Sequence, residues 1–174
     1  MSTSARAEGL LGRCDPALPS VLPGRYSPAV LGERDGHAYG DDFEDLAAFV
    51  REFGSVTGEP ADEVRQSRCD GCSGTTFWME CSEEDGVAKR TCTECKAIVF
   101  IGDSAELWEA SDTGDASCPC GTKTFEIAVG FCVSASGDVD WVVVGGRCTA
   151  CNLVGVYADW GVEYVPSSAL LLQA

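Results

Sequence analysis

The 174-residue chain is 45% apolar and carries 28 acidic side chains against 12 Lys and Arg, a formal net charge of −16. That length allows one ordinary domain or two to three small ones, and no apolar run reaches the roughly 18 residues of a membrane-spanning helix. Such an acidic chain repels phosphate backbones, which argues against nucleic acid and favours a basic protein as partner.

The first residues, Met1 to Arg6, are polar, and only Leu10 and Leu11 interrupt the polarity that follows, so no secretory apolar core is present. The expected location is the cytoplasm, where thiols stay reduced. Eleven cysteines in a reducing compartment, in odd number, argue against a disulfide framework and for metal.

Residues 1–40 hold four of the seven prolines and no periodic apolar pattern. They read as a flexible arm, and Cys14 within it as a free thiol. A helix is expected near Asp42–Phe53. Asp41 or Asp42 caps it, Phe43, Leu46, Ala47, Val50 and Phe53 form one apolar stripe, and Gly54 suits the stop. A second short helix is expected over 60–66, with Pro60 in its first turn.

From Cys69 onward, short β-branched and aromatic runs alternate with cysteine pairs, and the segment repeats. The first copy runs Cys69-Asp-Gly-Cys72, Thr75–Met79, an acidic turn at 82–86, Val87–Arg90, Cys92-Thr-Glu-Cys95 and Ala97–Ile101. The second runs Cys118-Pro-Cys120, Lys123–Val129, a turn at 134–138, Val139–Val144, Cys148-Thr-Ala-Cys151 and Leu153–Tyr157. Anchored on the cysteines, Phe77 matches Phe125 and Asp103 matches Asp159.

Two cysteines on a tight turn aim both sulfurs at one point, and two such turns complete the tetrahedron that zinc prefers. The 19 residues between Cys72 and Cys92, and the 27 between Cys120 and Cys148, leave room for a hairpin. Each module has only about 45–55 residues, too few for an unaided core, so the metal is expected to stabilise it. The expected ligands are Cys69, Cys72, Cys92 and Cys95 for one ion, and Cys118, Cys120, Cys148 and Cys151 for the other. The C-x-C pair is one residue short and must use a different turn. Four thiolates leave no position for a catalytic water, so both zinc ions read as structural. Each loaded site adds −2, taking the net charge to about −20.

Across residues 69–165 the chain resembles the zinc-ribbon superfamily, on the strength of the paired cysteines and the repeat. The resemblance implies a fold and a metal, not a task. The expected fold is a small, mixed α+β, metal-stabilised chain. An arm (1–40) and a helical segment (41–68) precede two antiparallel β zinc ribbons, 69–103 and 118–166. A linker (104–117) joins the ribbons and a tail (167–174) follows.

Catalysis has no visible apparatus. His37, the single histidine, lies in a Gly-rich polar stretch, and no G-x-S-x-G or P-loop motif occurs. The four tryptophans, at 78, 108, 141 and 160, read as core. Glu83, Glu84 and Asp85, with Asp41, Asp42, Glu44 and Asp45, offer a negative docking face. The leading expectation is a non-catalytic, acidic protein that binds another protein, as an inhibitor, an immunity protein or a transcription or translation adaptor. Two alternatives stand beside it. One is a rubredoxin-like iron electron carrier, which Cys118-Pro-Cys120-Gly121 half resembles. The other is a thiol redox switch using Cys14, Cys81 or Cys132. Nucleic-acid binding would require Arg65, Arg68, Arg90 and Arg147 to cluster on one face.

Overall fold

The computed structural model describes residues 13–14 and 32–174. The expected arm of 1–40 falls largely outside the described residues. Its last part forms a hairpin of β2 (Gly32–Arg34) and β3 (His37–Tyr39), while β1 (Arg13–Cys14) is a two-residue strand. The hairpin turn is Asp35-Gly36, both with positive φ, the two-residue loop that suits the twist of paired strands. Tyr39 then bridges to Leu153, and Gly40 donates its N–H to the Asn152 carbonyl, so the hairpin is anchored on the second cysteine module.

Helix α1 spans Phe43–Thr57, longer than its stripe suggested. Asp42 caps it by accepting from the Asp45 N–H, and Asp45 reaches back to the Asp41 N–H at 2.7 Å. The stop is Gly58, in the left-handed conformation, not Gly54, which stays buried inside the helix. The second expected helix is instead strand β4 (Glu63–Gln66). A helix of seven residues has little stability of its own, whereas here the backbone pairs with a longer strand that would otherwise leave part of its edge open.

The first module supplies β5 (Phe77–Ser82), β6 (Val87–Cys92) and β7 (Ile98–Phe100). The second supplies β9 (Thr124–Val133), β10 (Val139–Cys148) and β11 (Val154–Gly161). Residues 104–117, expected as a linker, carry a short helix α2 (Ser104–Leu107), a 3-10 turn and β8 (Gly114–Ala116). Among the described residues, nine of these strands form one sheet, mostly antiparallel. The modules join where β5 pairs with β9, through Phe77–Phe125 and Trp78–Thr124. β4 covers the rest of that β9 edge, and β8 the rest of β5. The tail forms a 3-10 turn over Ser168–Leu172, with Leu170 buried and Leu172 exposed.

Side-chain alternation sorts the core onto two faces. On one, Phe77, Met79 and Cys81 of β5 meet Phe125, Ile127, Val129 and Phe131 of β9, Val142 and Val144 of β10, and Tyr157 and Trp160 of β11. On the other, Leu46, Phe49 and Val50 of α1 lie on Ala128, Val143, Val154 and Val156. Of the tryptophans expected in the core, only Trp160 is buried; Trp78 is 37% exposed and the other two half-buried. Trp78 sits on the outer side of β5, opposite the inward residues Phe77 and Met79. No described helix is long and apolar enough to cross a membrane.

The helix lies flat on the sheet because glycine occupies the contact points. A Cβ on Gly130 would come within 2.6 Å of Val50 Cγ1, and one on Gly145 would collide with Val50 Cγ2. Gly145→Ala is therefore expected to cost about 1–3 kcal/mol by overpacking. Paired with Val50→Ala, the cost should be less than the sum of the two single changes. Denaturant unfolding of the four-variant cycle measures this coupling.

Candidate metal centres

All eight predicted cysteines converge, in two separate groups of four. In each group the four Sγ atoms lie within 4.8 Å of one another. In the first, Cys69 and Cys95 sulfurs are 3.3 Å apart and those of Cys72 and Cys92 3.5 Å. In the second, Cys118–Cys151 is 3.5 Å and Cys120–Cys148 3.6 Å. Disulfide sulfurs would stand at about 2.05 Å. A tetrahedron with metal–sulfur bonds of about 2.3 Å has edges of about 3.8 Å, close to these separations. The two groups fit a tandem zinc-binding motif.

Backbone geometry explains the convergence. The Cys92 N–H donates to the Ala97 carbonyl, and Lys96 N–H donates back to Cys92. Cys148 does the same with Leu153 and Asn152. Before the hairpins, Cys69 N–H reaches the Gly74 carbonyl, and Cys118 N–H reaches Thr122. That loop is one residue shorter at Cys118, which is how C-x-C replaces C-x-x-C. The residue after each second cysteine adopts positive φ: Ser73, Lys96, Gly121 and Asn152. Gly121, and to a lesser degree Asn152, are residue types that favour this conformation, whereas Ser73 and Lys96 are not.

A hydroxyl pair closes each hairpin base beside its cysteines. Thr76 and Thr93 oxygens are 2.7 Å apart, Thr124 and Thr149 oxygens 2.6 Å, and Thr93 and Thr149 each donate to the partner threonine's carbonyl at 3.1 Å. The duplication thus extends to individual hydrogen bonds.

Each group has a buried inner pair, Cys69 and Cys92 or Cys118 and Cys148, with Cys72, Cys95 and Cys120 exposed and Cys151 half-buried. The thiols differ in acidity. The Cys95 N–H, then that of Glu94, draw Cys92 down to about 6 against the pull of burial. The Cys95 thiol and the Cys72 N–H lower Cys69. At Cys72 the Gly74 N–H is overcome by the Cys92 thiol and desolvation, which push it up to about 12. In the second group the Thr122 hydroxyl and N–H draw Cys120 to about 6, whereas burial raises Cys118 and Cys151.

What stands near the inner pairs also differs. Near Cys69 and Cys92 is Arg90, 4% exposed, stacked over the Phe77 ring at 4.7 Å and electrostatically coupled first to Asp70 and then to both thiols. Near Cys118 and Cys148 is Tyr157, buried, edge-on to Phe125 at 5.0 Å, with its phenol pushed up by burial and then by those thiols. A loaded four-thiolate centre carries about −2, and a cation offsets that charge better than a neutral phenol. Sequence reading named Arg90 only as one of four arginines whose clustering would matter, and gave Tyr157 no role. Arg90 lies two positions before Cys92, but only the sheet brings Tyr157 near its thiols.

Cys81 and Cys132 belong to neither group. Cys81 is buried, its sulfur 3.7 Å from the Tyr157 carbonyl, and Cys132 is half-buried on β9. The side chain of Cys14 lies outside the described residues. His37 stands on β3 opposite Arg34. Among the acids at the first hairpin tip, Glu83 and Glu84 are exposed, while Asp85 accepts from the Ser82 hydroxyl and the Asp112 N–H and so holds the turn.

Comparison with protein-family models, with curated proteins and with solved structures finds no match to this chain.

Metal binding needs all four thiols deprotonated, so affinity is full at high pH and falls as protons compete. Lower thiol pKa values keep the ligands ionised to lower pH. Each group has two raised thiols, Cys72 and Cys95 or Cys118 and Cys151, but the first also has two lowered ones with a cation near them, whereas the second has one. On acidification the second group is expected to release its metal first. The check is chelator-detected release from Cys120→Ser, which leaves the first group intact, against Cys72→Ser, which leaves the second. Earlier release from Cys120→Ser would reverse the assignment.

Proposed function

We propose that the chain is a tandem zinc-ribbon protein, holding two structural zinc ions, that works without catalysis by binding a basic protein in the cytoplasm. The observation that carries this reading is the pair of four-thiol groups tied into one sheet. Each uses four protein ligands, which fills a tetrahedral zinc and leaves no place for a reacting water. Thiolate suits zinc or iron. Zinc is favoured because the ligand loops lie at the bases of short strands, where a redox-inert ion serves as a cross-link.

The partner reading rests on charge. Glu83 and Glu84 project from the first hairpin, and Asp41, Asp42 and Glu44 are exposed at the start of α1. Exposed acids steer a cationic partner at long range and lose that effect in salt. Asp85 is excluded from the docking face because its carboxylate is spent within the turn.

Elemental analysis with a visible spectrum, on protein purified without added metal, tests the metal. About two colourless zinc ions per chain are expected, with one lost in Cys95→Ser and the other in Cys148→Ser. Iron with visible absorption would favour an electron carrier instead. Chelation should lower the unfolding temperature steeply, because structural zinc contributes on the order of 10 kcal/mol in small domains. For the partner, Glu83→Lys with Glu84→Lys should slow association with a captured basic protein and weaken its salt dependence. Unchanged association would remove this docking face.

A further inference from the structure

Asn152 leaves the Cys148–Cys151 loop with a positive φ of 65°, and each of its polar atoms is in use. Its N–H donates to the Cys148 carbonyl at 3.0 Å, and the Leu153 carbonyl beside it accepts from the Cys148 N–H at 2.8 Å. These bonds belong to the ligand loop. The remaining groups are engaged by Arg147 and by residues 39–41. The Asn152 carbonyl accepts from the buried Gly40 N–H at 3.0 Å, and Leu153 bridges to Tyr39. In the side chain, Oδ1 accepts from Arg147 Nη1 at 2.8 Å and Nδ2 donates to Asp41 Oδ1 at 3.4 Å.

We propose that this junction couples the second metal centre to the start of α1, so that loading Cys118, Cys120, Cys148 and Cys151 fixes the acidic surface of Asp41, Asp42 and Glu44. The coupling rests on the metal reading of that group given above, but on neither a particular ion nor a partner.

The chemistry of the neighbours sets which way the Asn152 amide faces. Arg147 can only donate, so it must meet the amide oxygen; the Asp41 carboxylate can only accept, so it must meet the amide nitrogen. Arg147 is itself held by Glu126, with Nε at 2.9 Å and both side chains mostly buried. Beyond Asp41 the bonds continue into the helix. The Asp41 N–H donates to Asp45 Oδ2, and the Asp45 N–H donates to the Asp42 cap. Packing supplies a parallel route. Val154 and Val156, next along the same strand, lie under Leu46, Phe49 and Val50 of α1. An ion that pins Cys148 and Cys151 therefore restricts both routes. The first group lacks such a link at the matching residue. Lys96 also has positive φ, but its N–H goes to the Cys92 carbonyl and its ammonium lies over Trp78, both within the first unit. Coupling between two sites is reciprocal, so loosening the helix start weakens the second metal by the same factor.

The test is residue-resolved amide exchange on the zinc-loaded full chain, with metal content measured on every sample. Asn152→Gly keeps the positive φ and the backbone bonds but deletes the carboxamide. Exchange at Gly40, Asp45 and Leu46 is expected to rise about tenfold, and a chelator should strip the second metal at about tenfold lower concentration, within the usual range of site-to-site coupling. The first metal should be unaffected. Asn152→Asp keeps an acceptor for Arg147 but sets a carboxylate against Asp41. It should speed exchange at the same amides, and adding Asp41→Asn, which restores a donor–acceptor pair, should slow it again. Cys72→Ser, which empties the first group, should leave those amides as protected as before. Unchanged exchange in Asn152→Gly with both metals bound would overturn the coupling and leave the metal reading standing. A parent chain that takes up no metal in its second group yet protects those amides would overturn both.

Discussion

Everything in this fold depends on eight sulfurs being held at two points. A three-stranded hairpin unit of at most about 50 residues buries too little apolar surface to stay closed by itself. Here both ends of each unit are drawn to the base of the same hairpin. The backbone prepares this before any ion is considered. Each pair of ligands sits on a loop closed by its own N–H groups, and each loop exits through a left-handed residue. Ser73, Lys96 and Asn152 accept that conformation at some steric cost. Such cost is tolerated where a strong local interaction over-determines the geometry, and a metal–thiolate bond is such an interaction.

The two units are not beads on a string. β5 and β9 occupy the same place in their respective copies, and they pair antiparallel with Phe77 opposite Phe125, the residues that match in the repeat. Antiparallel pairing of equivalent residues is what a local two-fold axis produces, so the sheet resembles a dimer of one ancestral unit built into a single chain. The copies have since diverged around that axis. Asp103 and Asp159 match in sequence and both accept an indole N–H. Asp159 takes it from Trp141 of its own unit, Asp103 from Trp160 across the junction. The second bond stitches the units where the short β5–β9 pairing alone would be a weak seam.

How much of this the sequence disclosed follows from the range of each interaction. Cysteine spacing, hairpin strands and the capped helix rest on contacts between near neighbours, and all were legible. The Asp35-Gly36 turn was equally local and could have been found, since two residues of this kind between short runs are a hairpin signal. β4 could not, because four residues take strand form only when a longer strand presents an open edge. The fusion of the units and the placement of Arg90 and Tyr157 depend on which strands become neighbours. No periodicity carries that information.

Divergence between the copies also distributes their faces. The second unit has lengthened its strands and buried both sides, one under α1 and the other against the first unit. The first unit kept strands of three to six residues and leaves one side to solvent, with Trp78 and Ile98 exposed there. A unit wrapped on both sides gains stability from packing and depends less on its four-thiol group, which has the short C-x-C loop and one lowered thiol where the first group has two. The open unit has less packing to rely on, and it has the regular loops and the cation near its thiols. That cation is Arg90, held between Asp70 and the thiols of Cys69 and Cys92 and closed off by the end of the chain at Ala174.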